Sequence, residues 1–125
     1  MKKKLFLFDV DGTLSMGDEN IHPETHSAIL EAKNKGHTVA ISSGRSRSDM
    51  LSFEEKYGLI FDYYVCNNGS YIFNVFTKEA FNKKVLPYSV LKHLNSFAIA
   101  NDTFLTVCTL SGKLKFFSGD INKTN

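Results

Sequence analysis

The stretch LFLFDVDGTLSMGDE, Leu5 to Glu19, decides the fold, because in it an apolar run ends in two carboxylates and a glycine. The continuous apolar run Leu5–Val10 is typical of a strand that is buried on both faces in a parallel sheet. In extended backbone Asp9 and Asp11 leave the chain on the same side, and Gly12 permits a sharp turn whose N–H groups can bind an anion. An Asp-Gly pair alone is more often a simple turn, but the second carboxylate on the same side predicts a site.

Helix and strand signals alternate along the next part of the chain. Pro23 is placed to begin a first helix, which Gly36 ends, and Gly58 closes a second helix. Two further buried strands are predicted, at residues 37–42 and 62–66. Strand, helix, strand, helix, strand in this order predicts an α/β fold, a doubly wound parallel sheet whose ligand site lies at the carboxyl ends of the strands.

The pattern changes to an α+β order after the third strand. A hairpin, an amphipathic helix and two strands are predicted in turn, at residues 70–85, 87–101, 103–110 and 113–117. We therefore predict a boundary near Val85, with residues 1–84 as a sheet domain and residues 85–125 as a smaller appended module.

The second strand ends in a turn that complements the carboxylates. The sequence SSGRS, Ser42 to Ser46, places hydroxyls and a glycine between a buried strand and a helix whose N-terminal N–H groups favour anions. Ser43 is the best placed hydroxyl. Taken alone, this turn is an ordinary helix cap, but beside the two carboxylates it predicts a phosphate site.

Composition and charge exclude several classes of function. The 125 residues include 15 basic and 13 acidic side chains, and the net charge of +2 is too small to indicate a nucleic acid or a membrane surface as partner. No apolar run is long enough to span a membrane. Cys66 and Cys108 lie far apart, outside any zinc-ligand spacing, so we expect neither a disulfide framework nor a zinc site. We therefore expect a cytoplasmic protein with no nucleic-acid and no membrane partner.

Two motifs and the distance between them resemble a known family. DVDGTL, followed about thirty residues later by a hydrophobic strand that ends in SSGR, resembles motifs I and II of the haloacid dehalogenase superfamily. The spacing to CNNGS resembles the Cof-type sugar-phosphatase branch of that superfamily. The resemblance implies a Rossmann-like parallel sheet that carries the site, with a mobile α/β cap inserted after the third strand. Residues 85–125 would then be the start of this cap.

The resemblance also implies catalytic and metal-binding roles. Asp9 would be the nucleophile that takes the phosphoryl group as an aspartyl-phosphate, and Asp11 the acid/base that protonates the leaving alcohol and then activates water. Mg²⁺ would be bound by the Asp9 carboxylate and the Asp11 backbone carbonyl, because a hard divalent ion prefers oxygen ligands. The implied activity is that of a Mg²⁺-dependent phosphatase, a phosphoric monoester hydrolase, acting on small phosphorylated metabolites such as sugar phosphates.

Five further residues are assigned to the phosphate and the substrate by the same resemblance. The Ser43 hydroxyl and the Gly44 N–H would bind phosphoryl oxygens, with the N–H groups of Asp11 and Gly12 helping. Asn68, after the third strand, would reach the substrate or orient the acid/base. Arg45 is a further candidate for contact with the substrate, and a surface ion pair is its alternative role.

The sequence departs from the family in its last part. The family completes its site with a lysine and with an acidic Gly-Asp-x-x-Asn-Asp string, and neither is found at the expected place in this chain. Gly119 and Asp120 are interpreted as a turn, and Lys83 and Lys84 come too early to be the family's lysine. We therefore expect residues 1–125 to be the first half of a longer phosphatase. Made alone, they are expected to be inactive, to bind Mg²⁺ poorly and to associate.

Two functions of different classes stay open at the level of sequence. The first is the phosphatase. The alternative is a catalytically silent phosphate-binding or interaction domain, which keeps the fold and the anion site without the lysine and the final aspartates. The substrate is left open, because selectivity in this family resides largely in the cap. The sequence does not indicate the oligomeric state.

Overall fold

A computed structural model describes residues 2–17, 20–58 and 61–109 and the backbone of 112–117. This part of the chain contains seven strands, three α-helices and a short 3-10 helix at Asn67–Gly69. In chain order the strands and α-helices are β1 (Leu5–Phe8), α1 (Pro23–Asn34), β2 (Thr38–Ser42), α2 (Arg47–Tyr57), β3 (Tyr63–Cys66), β4 (Tyr71–Asn74), β5 (Glu79–Lys83), α3 (Tyr88–Ala100), β6 (Phe104–Thr109) and β7 (Gly112–Phe117). β1, β2 and β3 run parallel, and β4 and β5 extend the sheet antiparallel, in the order β1-β2-β3-β4-β5. β6 and β7 pair in a second, antiparallel sheet. The predicted alternation of strand and helix is confirmed.

Local sequence signals set the limits of the two helices that flank β2. α1 begins at Pro23, whose fixed φ suits the first helical turn and whose missing N–H costs nothing there. α2 follows Ser46 and ends before Gly58, which adopts the left-handed conformation (φ 57°) and donates its N–H to the Glu54 carbonyl (2.8 Å). None of the helices in the described residues is long and apolar enough to cross a membrane.

The hydrophobic core lies between β2 and these two helices. Val39 and Ile41 of β2 are fully buried, and they belong to one cluster with Ile29 of α1 and with Met50 and Phe53 of α2. Full burial of a side chain of this size stabilises the fold by about 1.5–3 kcal/mol. The cluster therefore anchors both helices on the sheet and fixes the loops at the carboxyl ends of β1 and β2 beside each other.

A buried carboxylate joins α1, β2 and β3. Asp62 directly precedes β3. Its carboxylate accepts a hydrogen bond from the Val39 N–H (2.7 Å) and forms an ion pair with Lys33 Nζ of α1 (2.9 Å). A buried charge is tolerated where it is paired and hydrogen-bonded, and both conditions are met here. The role of Asp62 is therefore to hold three elements together.

β1 differs from the strand predicted for Leu5–Val10. It ends at Phe8 and lies at one edge of the described sheet, with β2 as its neighbour. Leu5 and Leu7 are 62% and 54% exposed, so the expectation of a strand buried on both faces is wrong. The physical reason is that both flanking helices pack into the cluster that Phe6 and Phe8 join, which leaves the opposite face of β1 exposed.

The later elements match their predicted positions. The hairpin predicted for residues 70–85 is β4 and β5, and α3 and the β6–β7 pair follow it. Because β4 pairs with β3, the hairpin belongs to the main sheet, and the architecture changes only after β5. The boundary near Val85, between residues 1–84 and 85–125, stays a prediction. The turn predicted at Gly119-Asp120 lies outside the described residues.

Candidate active site

The chain turns sharply after β1. The Val10 carbonyl accepts hydrogen bonds from the N–H groups of Thr13 (3.2 Å) and Ser15 (2.9 Å), so the backbone leaves the sheet directly after Asp9. Gly12 has a φ of 85°, a conformation that strains any residue with a side chain, and its N–H donates to the Ser15 carbonyl (2.7 Å). The Gly12 N–H thus has an acceptor within the turn, and its role in holding phosphate stays a prediction.

Asp9 presents an exposed carboxylate at the carboxyl edge of the sheet. It follows Phe8, which pairs with Ile41, so it lies beside the end of β2. Among the described residues, the Asp9 side chain has no hydrogen-bond or ion-pair partner. A carboxylate oxygen that no neighbouring group holds is available to act as a nucleophile or as a metal ligand.

Asp11 lies beyond the end of β1 and forms an isolated bridge with Ser15, so the geometry of the main sheet does not determine where its side chain points. Its carboxylate is instead held by Arg45, from the turn after β2. Arg45 Nε lies 3.0 Å from Asp11 Oδ2, and Arg45 Nη2 lies 2.6 Å from Asp11 Oδ1. The surface ion pair that the sequence left as an alternative for Arg45 is thus present, and its partner is the predicted acid/base.

The turn after β2 presents a hydroxyl and an N–H group side by side. Ser43 is only 7% exposed, and its N–H donates to the Val65 carbonyl of β3 (2.8 Å). Its Oγ accepts the Arg45 N–H (3.1 Å), which leaves the hydroxyl hydrogen to donate to another group. The Gly44 N–H donates to none of the described residues. These two donors are the pair that would hold a phosphoryl group.

The turn after β3 packs against the turn after β2. Asn67 and Asn68 both have positive φ (49° and 53°), and their N–H groups donate to the carbonyls of Arg45 (2.9 Å) and Ser43 (3.3 Å). A Cβ at position 44 would lie 3.0 Å from Asn68 Oδ1, so Gly44 leaves the space that this side chain occupies. The sequence predicted that Asn68 lies near the site, but not that the Asn67 N–H joins this turn to Arg45. The Asn-Asn-Gly sequence was the available signal, because asparagine tolerates left-handed backbone.

The N-terminus of α2 is closed by its own side chains. Ser46 Oγ accepts the Asp49 N–H (3.2 Å), and the Asp49 carboxylate accepts the Ser46 N–H (3.1 Å). This capping box uses two of the donors that a helix end would otherwise offer to an anion, and it adds a negative charge. These two N–H groups are therefore not available to a phosphate, and the helix cap that the sequence left as the ordinary reading of this turn is present.

A half-buried cation, Arg47 at the start of α2, contacts two aromatic rings of the sheet. The Arg47 guanidinium lies over the rings of Tyr64 (4.2 Å to the centroid) and Phe73 (5.0 Å) and pairs with Glu54 (3.2 Å). Burial, and then the nearby Glu54 carboxylate, raise the pKa of the Tyr64 hydroxyl far above its ordinary value. Burial also raises the pKa of the Cys66 thiol to about 11. Cys66 therefore stays a neutral thiol at pH 7, which excludes it as a nucleophile at the end of β3.

Oxygen donors for a divalent cation are few at this edge of the sheet. Within the parts of the chain that the structure describes, no group of three or more His, Cys, Asp or Glu side chains is placed to hold a metal ion. Asp9 supplies one carboxylate, and the adjoining turn supplies the Asp11 carbonyl, and both are hard donors that suit Mg²⁺. The two fit Mg²⁺ as part of a coordination shell rather than as a complete one.

A cavity of about 640 Å³ opens beside the site. Its volume lies within the range of small-molecule pockets, roughly 300–1,000 Å³. Gly44 and Asn68 line one end, and Lys83 and Lys84 line it where the chain leaves β5. An apolar wall comes from α3 and β6 and consists of Leu91, Leu94, Leu105 and Val107. The cavity thus continues from the predicted phosphate site to the elements that follow β5.

Comparison with known proteins identifies the family. The model of the haloacid dehalogenase-like hydrolases matches residues 6–123, which is nearly the whole chain. The chain belongs to this family. The resemblance drawn from the DVDGTL and SSGR motifs, including the likeness to the Cof-type branch, is confirmed.

Individual haloacid dehalogenase-like relatives are similar over most of this chain and over part of their own length. Phosphatase YwpJ of Bacillus subtilis is 31% identical over 97 residues, which are 74% of this chain and 33% of YwpJ. A phosphomannomutase of Babesia bovis is 27% identical over 116 residues, which are 90% of this chain and 47% of that protein. The solved structure of the subclass IIB sugar phosphatase BT4131 has a TM-score of 0.74 and 27% identity, over 91% of this chain and 44% of its own. The chain thus spans about a third to a half of these proteins, and the Rossmann-like α/β fold is confirmed.

Proposed function

We propose that the full-length protein to which residues 1–125 belong is a Mg²⁺-dependent phosphatase that forms an aspartyl-phosphate on Asp9. The observation that carries this proposal is the Asp9 carboxylate, without a partner among the described residues, at the sheet edge where Ser43 and Gly44 present their donors. A nucleophile beside donors for phosphoryl oxygens is what phosphoryl transfer to a side chain requires. The relatives that are named phosphatases support the same reading.

Two displacements at phosphorus make up the proposed reaction. An Asp9 oxygen forms a bond to phosphorus while the ester P–O bond breaks, and Asp11 gives a proton to the departing alcohol oxygen. Asp11 then takes a proton from a water molecule whose oxygen attacks the phosphorus, and the bond to Asp9 breaks. Orthophosphate leaves, Asp9 is again a carboxylate and Asp11 is again protonated. Ser43 and Gly44 donate to the phosphoryl oxygens in both steps, where negative charge builds up.

The Asp9 carboxylate and the Asp11 backbone carbonyl would hold Mg²⁺. When bound, the ion offsets the charge of the carboxylate and the phosphoryl group, which otherwise repel each other. Asn68, whose side chain lies beside Gly44 and lines the cavity, would contact the substrate or orient Asp11. Arg45 would contact the phosphoryl group.

We infer that the substrates are small phosphorylated metabolites such as sugar phosphates. The cavity that begins at Gly44 and Asn68 has room for a small leaving group, and the similar protein BT4131 is a sugar phosphatase. In this proposal, residues 1–84 supply the phosphate site and residues 85–125 begin a cap over the leaving group. The small net charge of +2 supports a role without a nucleic-acid or membrane-surface partner, and the two distant cysteines, without a disulfide framework, support a cytoplasmic one.

Phosphate release from a panel of phosphorylated metabolites tests the proposal. The full-length protein should release phosphate in the presence of Mg²⁺ and stop when EDTA removes the ion. Asp9→Asn should abolish turnover and preserve the fold, because an amide of nearly equal size replaces the attacking oxygen. Asp102→Asn, in the exposed turn between α3 and β6, is the matched control and should keep its activity.

Near-normal turnover by a folded Asp9→Asn protein would rule out the nucleophile. The alternative function, a catalytically silent phosphate-binding domain, makes a different prediction for the wild-type protein. Calorimetric titration would then detect orthophosphate binding, while no member of the panel would be hydrolysed. The two measurements together distinguish an enzyme from a binding module.

A further inference from the structure

The carboxylate proposed as the acid/base is held by an arginine through both of its oxygens. Arg45 Nε contacts Asp11 Oδ2 (3.0 Å), and Arg45 Nη2 contacts Asp11 Oδ1 (2.6 Å). Such a two-pronged contact directs both oxygens of the carboxylate toward the guanidinium. An acid/base has to present one of these oxygens to the leaving group. Opening of the contact, at least in part, would free one Asp11 oxygen for this task.

The backbone of Arg45 is fixed on both sides of its side chain. Its N–H donates to Ser43 Oγ (3.1 Å), and its carbonyl accepts the Asn67 N–H (2.9 Å). The guanidinium also lies 5.8 Å from the ring centroid of Phe53, within the range of a cation–π contact. Any change of partner by Arg45 therefore has to be a rotation of the side chain about an anchored backbone.

A phosphoryl group at Ser43 would compete with Asp11 for this guanidinium. The Ser43 hydroxyl contacts the Arg45 N–H, so a phosphoryl group bound by that hydroxyl lies near the base of the arginine side chain. The Asp11 side chain is 57% exposed and the Arg45 side chain 21% exposed, so solvent screens the pair on its Asp11 side. A phosphoryl dianion carries more charge and offers several oxygens to the planar guanidinium. The phosphoryl group is therefore the stronger partner for the Arg45 guanidinium, and its binding favours the transfer of Arg45 from Asp11 to the phosphoryl group.

We propose that Arg45 is a positioning residue that exchanges partners. It holds Asp11 before the substrate binds and moves to the phosphoryl group when the substrate binds, which turns an Asp11 oxygen toward the leaving group. The exchange rests on the proposed function, because it takes the phosphoryl group to be held at Ser43 and Gly44. It makes Asp11 and the substrate competitors for one cation, so that occupancy of the phosphate site releases the acid/base.

A double-mutant cycle on orthophosphate affinity tests the exchange without any turnover. Calorimetry at a fixed Mg²⁺ concentration measures the Kd of orthophosphate for the full-length wild type, for Asp11→Asn, for Arg45→Met and for the double variant. Asp11→Asn removes a negative charge in both backgrounds, but it releases a cation to the phosphate only where Arg45 is present. We expect Asp11→Asn to tighten binding at least about 5-fold more with Arg45 present than in the Arg45→Met background.

The possible results of this cycle distinguish a failure of the exchange from a failure of the phosphatase proposal. An equal effect of Asp11→Asn in both backgrounds overturns the exchange and leaves the phosphatase proposal intact. Orthophosphate that binds none of the four proteins overturns both, because no phosphate site then exists. Arg45→Lys is the second variant if circular dichroism shows that Arg45→Met is unfolded. Lysine keeps the positive charge but loses the two-pronged geometry. The effect of Asp11→Asn on the orthophosphate Kd in the Arg45→Lys background should therefore be smaller than in the wild type and larger than in a background without a cation. The same effect in the wild type and in Arg45→Lys contradicts the exchange.

Discussion

Asp9 and Asp62 show how one functional group serves two purposes according to its surroundings. Asp62 is buried and accepts bonds from Lys33 Nζ (2.9 Å) and from the Val39 N–H (2.7 Å). Asp9 is exposed and has no side-chain partner in the described ranges. A buried carboxylate with partners stabilises the fold, whereas an exposed one without them is available to a ligand. Substitution of Asp62 should therefore affect mainly the stability of the fold, and substitution of Asp9 mainly the proposed activity.

Asp62→Ala should lower the free energy of unfolding by about 1–3 kcal/mol, because the Val39 N–H is left buried without an acceptor. Lys33 also loses its anion. Urea unfolding followed by circular dichroism measures the change. Asp9→Asn is the comparison and should change the same quantity by less than about 0.5 kcal/mol. Similar losses in the two variants would contradict the division of roles.

Ser43→Ala should weaken phosphate binding or transition-state stabilisation by about 1–3 kcal/mol, the scale of one charge-assisted hydrogen bond. The hydroxyl hydrogen is the contribution that is lost, since Ser43 Oγ already accepts the Arg45 N–H. Orthophosphate titration and kcat/KM measure the effect, and Ser96→Ala on the exposed side of α3 is the control. Complete inactivation would mean that Ser43 does more than bind phosphate.

At the scale of the element, α2 is defined by interactions at both of its ends. The capping box between Ser46 and Asp49 begins the helix, and the left-handed Gly58 ends it. Ser46→Ala should cost about 1 kcal/mol of unfolding free energy, as loss of an N-cap typically does. Ser52→Ala, an exposed serine within the same helix, is the control and should cost less in the same urea titration. Equal losses would show that the cap adds nothing beyond helix propensity.

Sequence patterns predicted the order and type of the elements because burial and capping are local signals. The limits of α1 and α2 follow from Pro23 and Gly58, which act on the backbone directly. The end of β1 was misjudged because Val10 is apolar and fully buried, yet it lies in a turn whose hydrogen bonds involve Thr13 and Ser15. An apolar run reports burial, and burial does not distinguish a strand from a turn packed on the core.

The contacts within the candidate site could not be predicted from the sequence in the same way. The pair of Arg45 with Asp11 joins residues 34 positions apart, and the fit of Asn68 against Gly44 depends on two turns meeting. No periodicity encodes such contacts, because they depend on which loops the sheet brings together. Their residue types were nevertheless identified from the motifs, and the roles assigned to them stay predictions.

At the scale of the whole molecule, one face of the sheet is covered and the opposite face at β1 is not. Leu5 and Leu7 are exposed at an edge strand, a combination that promotes pairing with other chains. We expect residues 1–125, made alone, to associate reversibly, and Leu7→Lys to shift them toward the monomer. Sedimentation velocity measures this, with Leu30→Lys on α1 as the control. A strictly monomeric polypeptide, or an equal shift at Leu30, would contradict the prediction.

A Cβ at position 44 would lie 3.0 Å from Asn68 Oδ1, so the two positions constrain each other in the lineage of this protein. Alanine at 44 requires the end of the Asn68 side chain to yield by a few tenths of an ångström, which moves its amide away from its present place beside Gly44. The two positions should therefore vary together among relatives, with glycine at 44 wherever position 68 keeps a side chain of this length and direction.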